Sequence, residues 1–191
     1  MDGRGVVDDD WRAAKRVLWE GDDVERLKQL VRARHVHARD GFGCTLLHTA
    51  CAHGHVRSTF WLLQSGADTE VRSDWGQTSL HSAAANGHVD CGAVLLRHGA
   101  HVDPVNKWGQ TPLWYAVRND YQQVGCLLLD AGAALGKFAH ETVWVYRFLR
   151  GRAACAKAAK IFIGISDRRH RDVARLVAKM LWDTRGHEAW L

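Results

Sequence analysis

The segment Gly43-Cys44-Thr45-Leu46-Leu47-His48 returns as Gly76-Gln77-Thr78-Ser79-Leu80-His81, and again, after an equal step, as Gly109-Gln110-Thr111-Pro112-Leu113-Trp114. The pairs Gly66-Ala67, Gly99-Ala100 and Gly132-Ala133 keep the same spacing, as do Gly54-His55 and Gly87-His88, with Asp120-Tyr121 where a third such pair would stand. Several positions in register three times over describe one small unit repeated along the chain. In the second unit, Thr78 is placed to cap a helix, its hydroxyl accepting from a first-turn N–H. Leu80, Ala83 and Ala84 then make the apolar side of a short inner helix, and small alanines let a neighbour approach closely. Gly87 ends that helix, because positive φ is favoured there. Val89–Arg97 is read as a second helix with Val94, Leu95 and Leu96 facing the core, and Gly99 ends it. One such unit cannot bury its own apolar side; stacked neighbours can.

These residues resemble the ankyrin repeat family over about half of the chain, from roughly Asp40 to Ala134. The resemblance implies an all-α solenoid in which a β-turn finger precedes each antiparallel helix pair. It also implies that His48 hydrogen-bonds within the finger loops and that partner proteins dock on the concave side. Four positions depart from the family pattern. Leu46 and Ser79 replace the usual proline, Trp114 the usual histidine and Asp120 the inter-helix glycine, so a distorted turn is expected in the third unit.

The organisation expected is an acidic N-terminal segment at 1–10, an N-terminal capping helix pair at 11–39, and repeats at 40–72, 73–105 and 106–138. A basic helical C-terminal extension at 139–191 completes it. The capping pair rests on Ala13-Ala14 and Val17-Leu18, a turn at Gly21-Asp22, and Val24, Leu27, Leu30 and Val31 at helical spacing. In the extension, Glu141–Leu149, Arg152–Ile163 and Arg171–Leu181 read as helices. The last carries Val173, Leu176, Val177, Met180 and Leu181 on one side. It serves either as a cap on the last repeat or as a docking element for a partner.

The net charge of +5 is unevenly placed. Residues 1–40 hold nine basic and nine acidic side chains, residues 41–135 five and seven, and residues 136–191 twelve and five, so the basicity belongs to the extension. The start of the chain has no apolar run of a signal peptide and no stretch approaches a membrane span, so an intracellular location, cytoplasmic or nuclear, is expected. Five cysteines without a CxxC pair read as free thiols.

Chemistry-bearing patterns are sparse. Cys44, His48, Cys51, His53 and His55 contain zinc-type ligands, but their spacing fits no established zinc site, and no metal is expected. No nucleophile elbow, phosphate loop or dinucleotide fingerprint occurs, so neither catalytic residues nor a cofactor are expected. The cations Arg147, Arg150, Arg152, Lys157, Lys160, Arg168, Arg169 and Arg171 allow contact with nucleic acid or an anionic surface, without any base-reading motif.

Phe42, Trp75 and Trp108 recur at the repeat spacing, each directly before the finger glycine. They are either exposed binding anchors or rings packed sideways on the next finger. Mapping the family's variable positions extends the candidate partner-binding set to Arg72, Asp74, Asn106 and Lys107 in the fingers. On the inner helices it adds Thr49, His53, Ser82, Asn86, Tyr115, Arg118 and Asn119. The function expected is a protein-binding scaffold. Two alternatives follow from the extension: a ubiquitin-ligase substrate adaptor recruiting the ligase core, and a nucleic-acid-associated regulator.

Overall fold

The computed structural model describes residues 7–134. The extension and its three expected helices lie outside the described residues. Among those described, the elements in chain order are α1 (Asp9–Glu20), α2 (Val24–Leu30), α3 (Ala33–Val36), α4 (Leu46–His53), α5 (Val56–Gln64), α6 (Ser79–Ala85), α7 (Val89–Arg97), α8 (Pro112–Arg118) and α9 (Gln122–Asp130). Among the described residues no strand occurs, and none of their helices is long and apolar enough to cross a membrane.

The helices stack in two rows. An inner row runs α1, α4, α6, α8, and an outer row runs α2, α5, α7, α9. Leu47, Leu80 and Leu113 recur in the inner row and Leu62, Leu95 and Leu128 in the outer row, all fully buried. Each contributes roughly 1.5–3 kcal/mol by leaving water. Ala50, Ala83 and Ala116, also fully buried, keep the inner helices close. On α7 the core side differs from expectation. Leu95 is buried together with Cys91 and Gly92, while Val94 and Leu96 are half-buried at the margins. A short helix turns one side chain of each consecutive trio fully inward, not all three.

The N-terminal helix starts earlier than the segment boundary at residue 10 suggested. Asp8 caps α1, accepting from the Trp11 N–H at 3.0 Å, and also meets Arg34 and the buried His35 ring at 3.1 Å. The amide bond first, and then Arg34 and His35, hold its carboxyl well below the usual range. That network also accounts for α3, a short turn that brings Arg34 and His35 back onto α1. Asp22, in the α1–α2 turn, accepts from the backbone N–H groups of Arg57 and Ser58 at 3.0 and 2.9 Å and from the Ser58 hydroxyl. It therefore caps α5 across the cap–repeat boundary. Burial works against its charge, but the Ser58 and Arg57 donors prevail and its pKa falls.

The inter-helix turns share one backbone conformation. Gly54 and Gly87 have φ +74° and +78°, and Asp120 adopts φ +58°. The amides that follow make matching bonds, His55 to Ala50, His88 to Ala83 and Tyr121 to Ala116, at 3.0, 3.0 and 2.8 Å. The third turn is thus undistorted. Aspartate tolerates the left-handed region better than most residues.

Candidate functional site

Each finger is a turn built by one small polar side chain. Asp40, Ser73 and Asn106 occupy equivalent positions in successive repeats. Asp40 Oδ1 accepts from the Phe42 and Cys44 N–H groups at 2.9 and 2.8 Å. Ser73 Oγ accepts from Gln77 N–H at 3.2 Å. Asn106 Oδ1 accepts from Trp108 and Gln110 N–H at 3.0 and 2.9 Å. Burial disfavours ionised Asp40, but the Lys15 ion pair and the Cys44 and Phe42 amides outweigh it, and its pKa is lowered. Backbone bonds tie finger to finger, Asp74 N–H to the Phe42 carbonyl at 2.9 Å and Lys107 N–H to the Trp75 carbonyl at 3.0 Å. Gly43 is required at this crossing. Its φ is +73°, and a Cβ there would meet the Asp74 backbone nitrogen at 2.9 Å.

Below the fingers, His48 and His81 each bridge two repeats. Nδ1 accepts from the N–H of Thr45 at 3.2 Å or Thr78 at 3.1 Å. That leaves Nε2–H to donate to the carbonyl of Gln77 or Gln110 in the next finger, 3.1 Å in both cases. This pattern needs the neutral ring. Burial lowers the pKa of both, that of His81 to about 4.

The finger tips stay open. Phe42, Trp75 and Trp108 are 60%, 41% and 62% exposed. Phe42 and Trp75 also stack, centroids 5.6 Å apart and planes 18° from parallel. Both sequence readings of the row therefore meet in one arrangement, a shared aromatic platform that faces solvent.

The other candidate residues divide. Arg72, Asp74, Lys107, Asn86, Arg118 and Asn119 are exposed, and His53, Ser82 and Tyr115 are half-buried. Thr49 and Asn106 are buried and unavailable as contact residues. Asn106 builds the third finger, and its Nδ2 donates to Gln110 Oε1 at 3.0 Å and Tyr115 Oη at 3.2 Å. Tyr115 Oη also receives Gln77 Nε2–H at 2.8 Å, so its polar end is spent holding fingers together. Asn119 Nδ2 donates to the Ala85 carbonyl at the end of α6. Arg118 lies over the Trp114 ring, 4.9 Å from its centroid.

The sequence reading omitted Trp19. It is 66% exposed near the end of α1, and its ring lies 4.7 Å from that of His53, which in turn stacks on His55 at 5.8 Å. The signal was available. Trp19 precedes Ala52 by one repeat length, so the inner-helix register extends back into the capping pair.

The cysteine–histidine cluster disperses. His48 uses both ring nitrogens, His53 Nδ1 bonds the Thr49 carbonyl at 2.9 Å, and His55 Nε2 bonds the Leu18 carbonyl at 2.9 Å. Burial, followed by the nearby Asp40 charge, pushes the Cys44 thiol up to about 11. Burial likewise raises Cys51 well above the ordinary thiol range. Among the described residues no three His, Cys, Asp or Glu side chains converge as for a metal ion.

A family model described as ankyrin repeats (3 copies) matches residues 12–103 and 47–138 of the chain. The search of curated proteins found no match to this chain.

Proposed function

Because the chain belongs to the ankyrin repeat family, whose domains are generally protein–protein interaction modules, we propose that it is a scaffold holding a partner protein on the face made by the fingers and the inner helices. The observation that carries this reading is the exposed aromatic row. Three large rings are held in solvent by turns that are hydrogen-bonded to one another, so presenting them costs the free protein little further ordering. Aromatic and arginine side chains of this kind dominate many interfaces. The free cysteines, Cys44, Cys51, Cys91 and Cys126 among the described residues, support a reducing, intracellular setting. The adaptor and nucleic-acid readings rest on the extension, which lies outside the described residues.

The test is affinity capture with the full chain and with Trp75→Ala plus Trp108→Ala. Both side chains are exposed, so the variant should keep its helicity and melting temperature while its hold on native partners weakens about tenfold or more. Recovery of the same partners at the same strength would remove the aromatic row from the site.

A further inference from the structure

The repeat region is acidic overall, but its carboxylates are differently engaged from its cations. Between residues 41 and 134 there are five basic side chains, and three of them, Arg72, Lys107 and Arg118, lie in the fingers or on an inner helix. Of the seven acidic ones, Asp68, Glu70 and Asp74 share the α5–α6 connection with Arg72, and Asp103 shares the α7–α8 connection with Lys107. Glu70 accepts from the His101 N–H at 2.9 Å and Asp103 from the Ala134 N–H at 2.7 Å, so both are occupied by backbone of the next repeat. Asp90 and Asp130 are on outer helices and Asp120 is in the α8–α9 turn. The two remaining cations, Arg57 and Arg97, are on outer helices.

The finger cations are also aligned. Arg39 donates to the Arg72 carbonyl, and Arg72, one repeat on, donates to the Val105 carbonyl. Each guanidinium is thereby laid along the row of fingers, while its charge stays unmatched. Among the described residues, neither Arg39, Arg72, Lys107 nor Arg118 forms an ion pair with a carboxylate. Asp40, the other carboxylate at the fingers, is already neutralised by Lys15.

Resting on the reading above, we propose that the finger face takes an acidic, extended peptide segment of its partner. The partner's carboxylates meet Arg39, Arg72 and Lys107, and its apolar side chains lie on the Phe42–Trp75 platform and on Trp108. Guanidinium groups suit carboxylates because both are planar and pair through two N–H bonds. Aromatic platforms also stack nucleic-acid bases. Exposed Asp74, however, sits beside Trp75 in the same row. A phosphate backbone carries a charge at every step and cannot avoid it, whereas a peptide can place an uncharged residue there.

The experiment uses the full chain and three short fluorescein-labelled peptides of equal length, identical in their Phe, Leu and Pro positions. They differ only in carrying Glu, Gln or Lys elsewhere. Fluorescence anisotropy should show the Glu peptide binding about tenfold tighter than the Gln peptide, the size of one or two charge-assisted hydrogen bonds, and the Lys peptide weaker than both. Arg72→Glu plus Lys107→Glu should abolish that preference, with circular dichroism unchanged and melting lowered only by the loss of the Arg72 bonds to the Gly76 and Val105 carbonyls. Arg72→Gln plus Lys107→Gln should reduce it, and Arg57→Glu plus Arg97→Glu should leave it intact.

A preference that survives Arg72→Glu plus Lys107→Glu belongs elsewhere on the chain and overturns the proposal. So does the absence of binding by any peptide, or a short oligothymidine single strand that binds as tightly and with the same sensitivity to the variants. Equal binding of the Glu and Gln peptides, lost together in Trp75→Ala plus Trp108→Ala, overturns the acidic assignment and leaves the aromatic binding face standing.

Discussion

Two boundaries between repeats are bridged by a buried histidine; the third repeat has no histidine to offer onward. His48 carries the first repeat to Gln77 and His81 the second to Gln110, while Trp114 occupies the corresponding place in the third. There the cap reverts to a simpler form. Thr111 Oγ1 accepts from Trp114 N–H at 3.2 Å, and the large ring meets Tyr115 edge-on and lies under the Arg118 guanidinium. The difference extends to the turn side. His88 Nε2 reaches back to the Ala52 carbonyl at 3.1 Å, whereas Tyr121 covers Gly87 with its ring. The same backbone path is therefore held by polar bridges early in the array and by aromatic packing late in it. The first kind depends on protonation and the second does not.

The sharpest way to break this contrast is to remove a bridge. His81→Ala leaves the buried Thr78 N–H without a partner, removes one of the two hydrogen bonds at the Gln110 carbonyl, and opens a cavity against Tyr115, whose ring stands 6.1 Å away. The expected loss is about 3–5 kcal/mol in a urea titration. Trp114→Ala, which frees no buried hydrogen-bonding group, should cost clearly less. Equal losses would mean that the histidine acts by volume alone.

Acidification tests the same contrast without mutation. The folded-state pKa of His81 is depressed to about 4 and that of His48 also lies below its ordinary value, whereas the unfolded rings titrate near 6.5. Between those values the unfolded chain binds protons that the native chain refuses. Stability is therefore complete above about pH 6.5 and declines as pH falls toward 4, by about 3 kcal/mol from His81 alone. Asp22 and Asp40, with lowered pKa values, lose their contribution below the usual carboxylate range and stay outside this window. Hydrogen exchange should show the amides of Ser73, Gln77 and Gln110 opening first as pH drops from 6.5 to 4. In His81→Ala the decline of global stability should be shallower; an unchanged slope would assign it to other histidines.

What the sequence disclosed follows the same division. A repeating Thr-x-x-His with glycines before and after it states a cap, a bridge and two turns, each forced by backbone geometry, so the helix pairs could be placed from it. Features that depend on which way a side chain points were less legible. Asn106 and Trp108 are near neighbours in one finger. Which of them faces inward is decided by the two backbone N–H groups that Asn106 accepts. Asp40 and Ser73, in register with Asn106, held that clue. The cations could be counted but not placed, because only the reach of Arg72 to the Val105 carbonyl lays its guanidinium along the fingers.

The smallest effect bears on Asp120. It adopts φ +58° where the other repeats have glycine, and a non-glycine residue there carries a strain of about 1 kcal/mol, less for aspartate than for most. Asp120→Gly relieves the strain but enlarges the freedom of the unfolded chain. The net expectation is a gain of about 0.5 kcal/mol or less, seen as a slightly higher denaturation midpoint. The earlier repeats explain why aspartate is confined to this position. At Gly87 an added Cβ would lie 2.7 Å from the Tyr121 ring, and at Gly54 2.5 Å from the His88 ring. There glycine serves conformation and close approach together, whereas at 120 the gain from Asp120→Gly isolates conformation. A clear loss of stability in Asp120→Gly would show instead that the aspartate carboxylate contributes to the third repeat by a contact of its own.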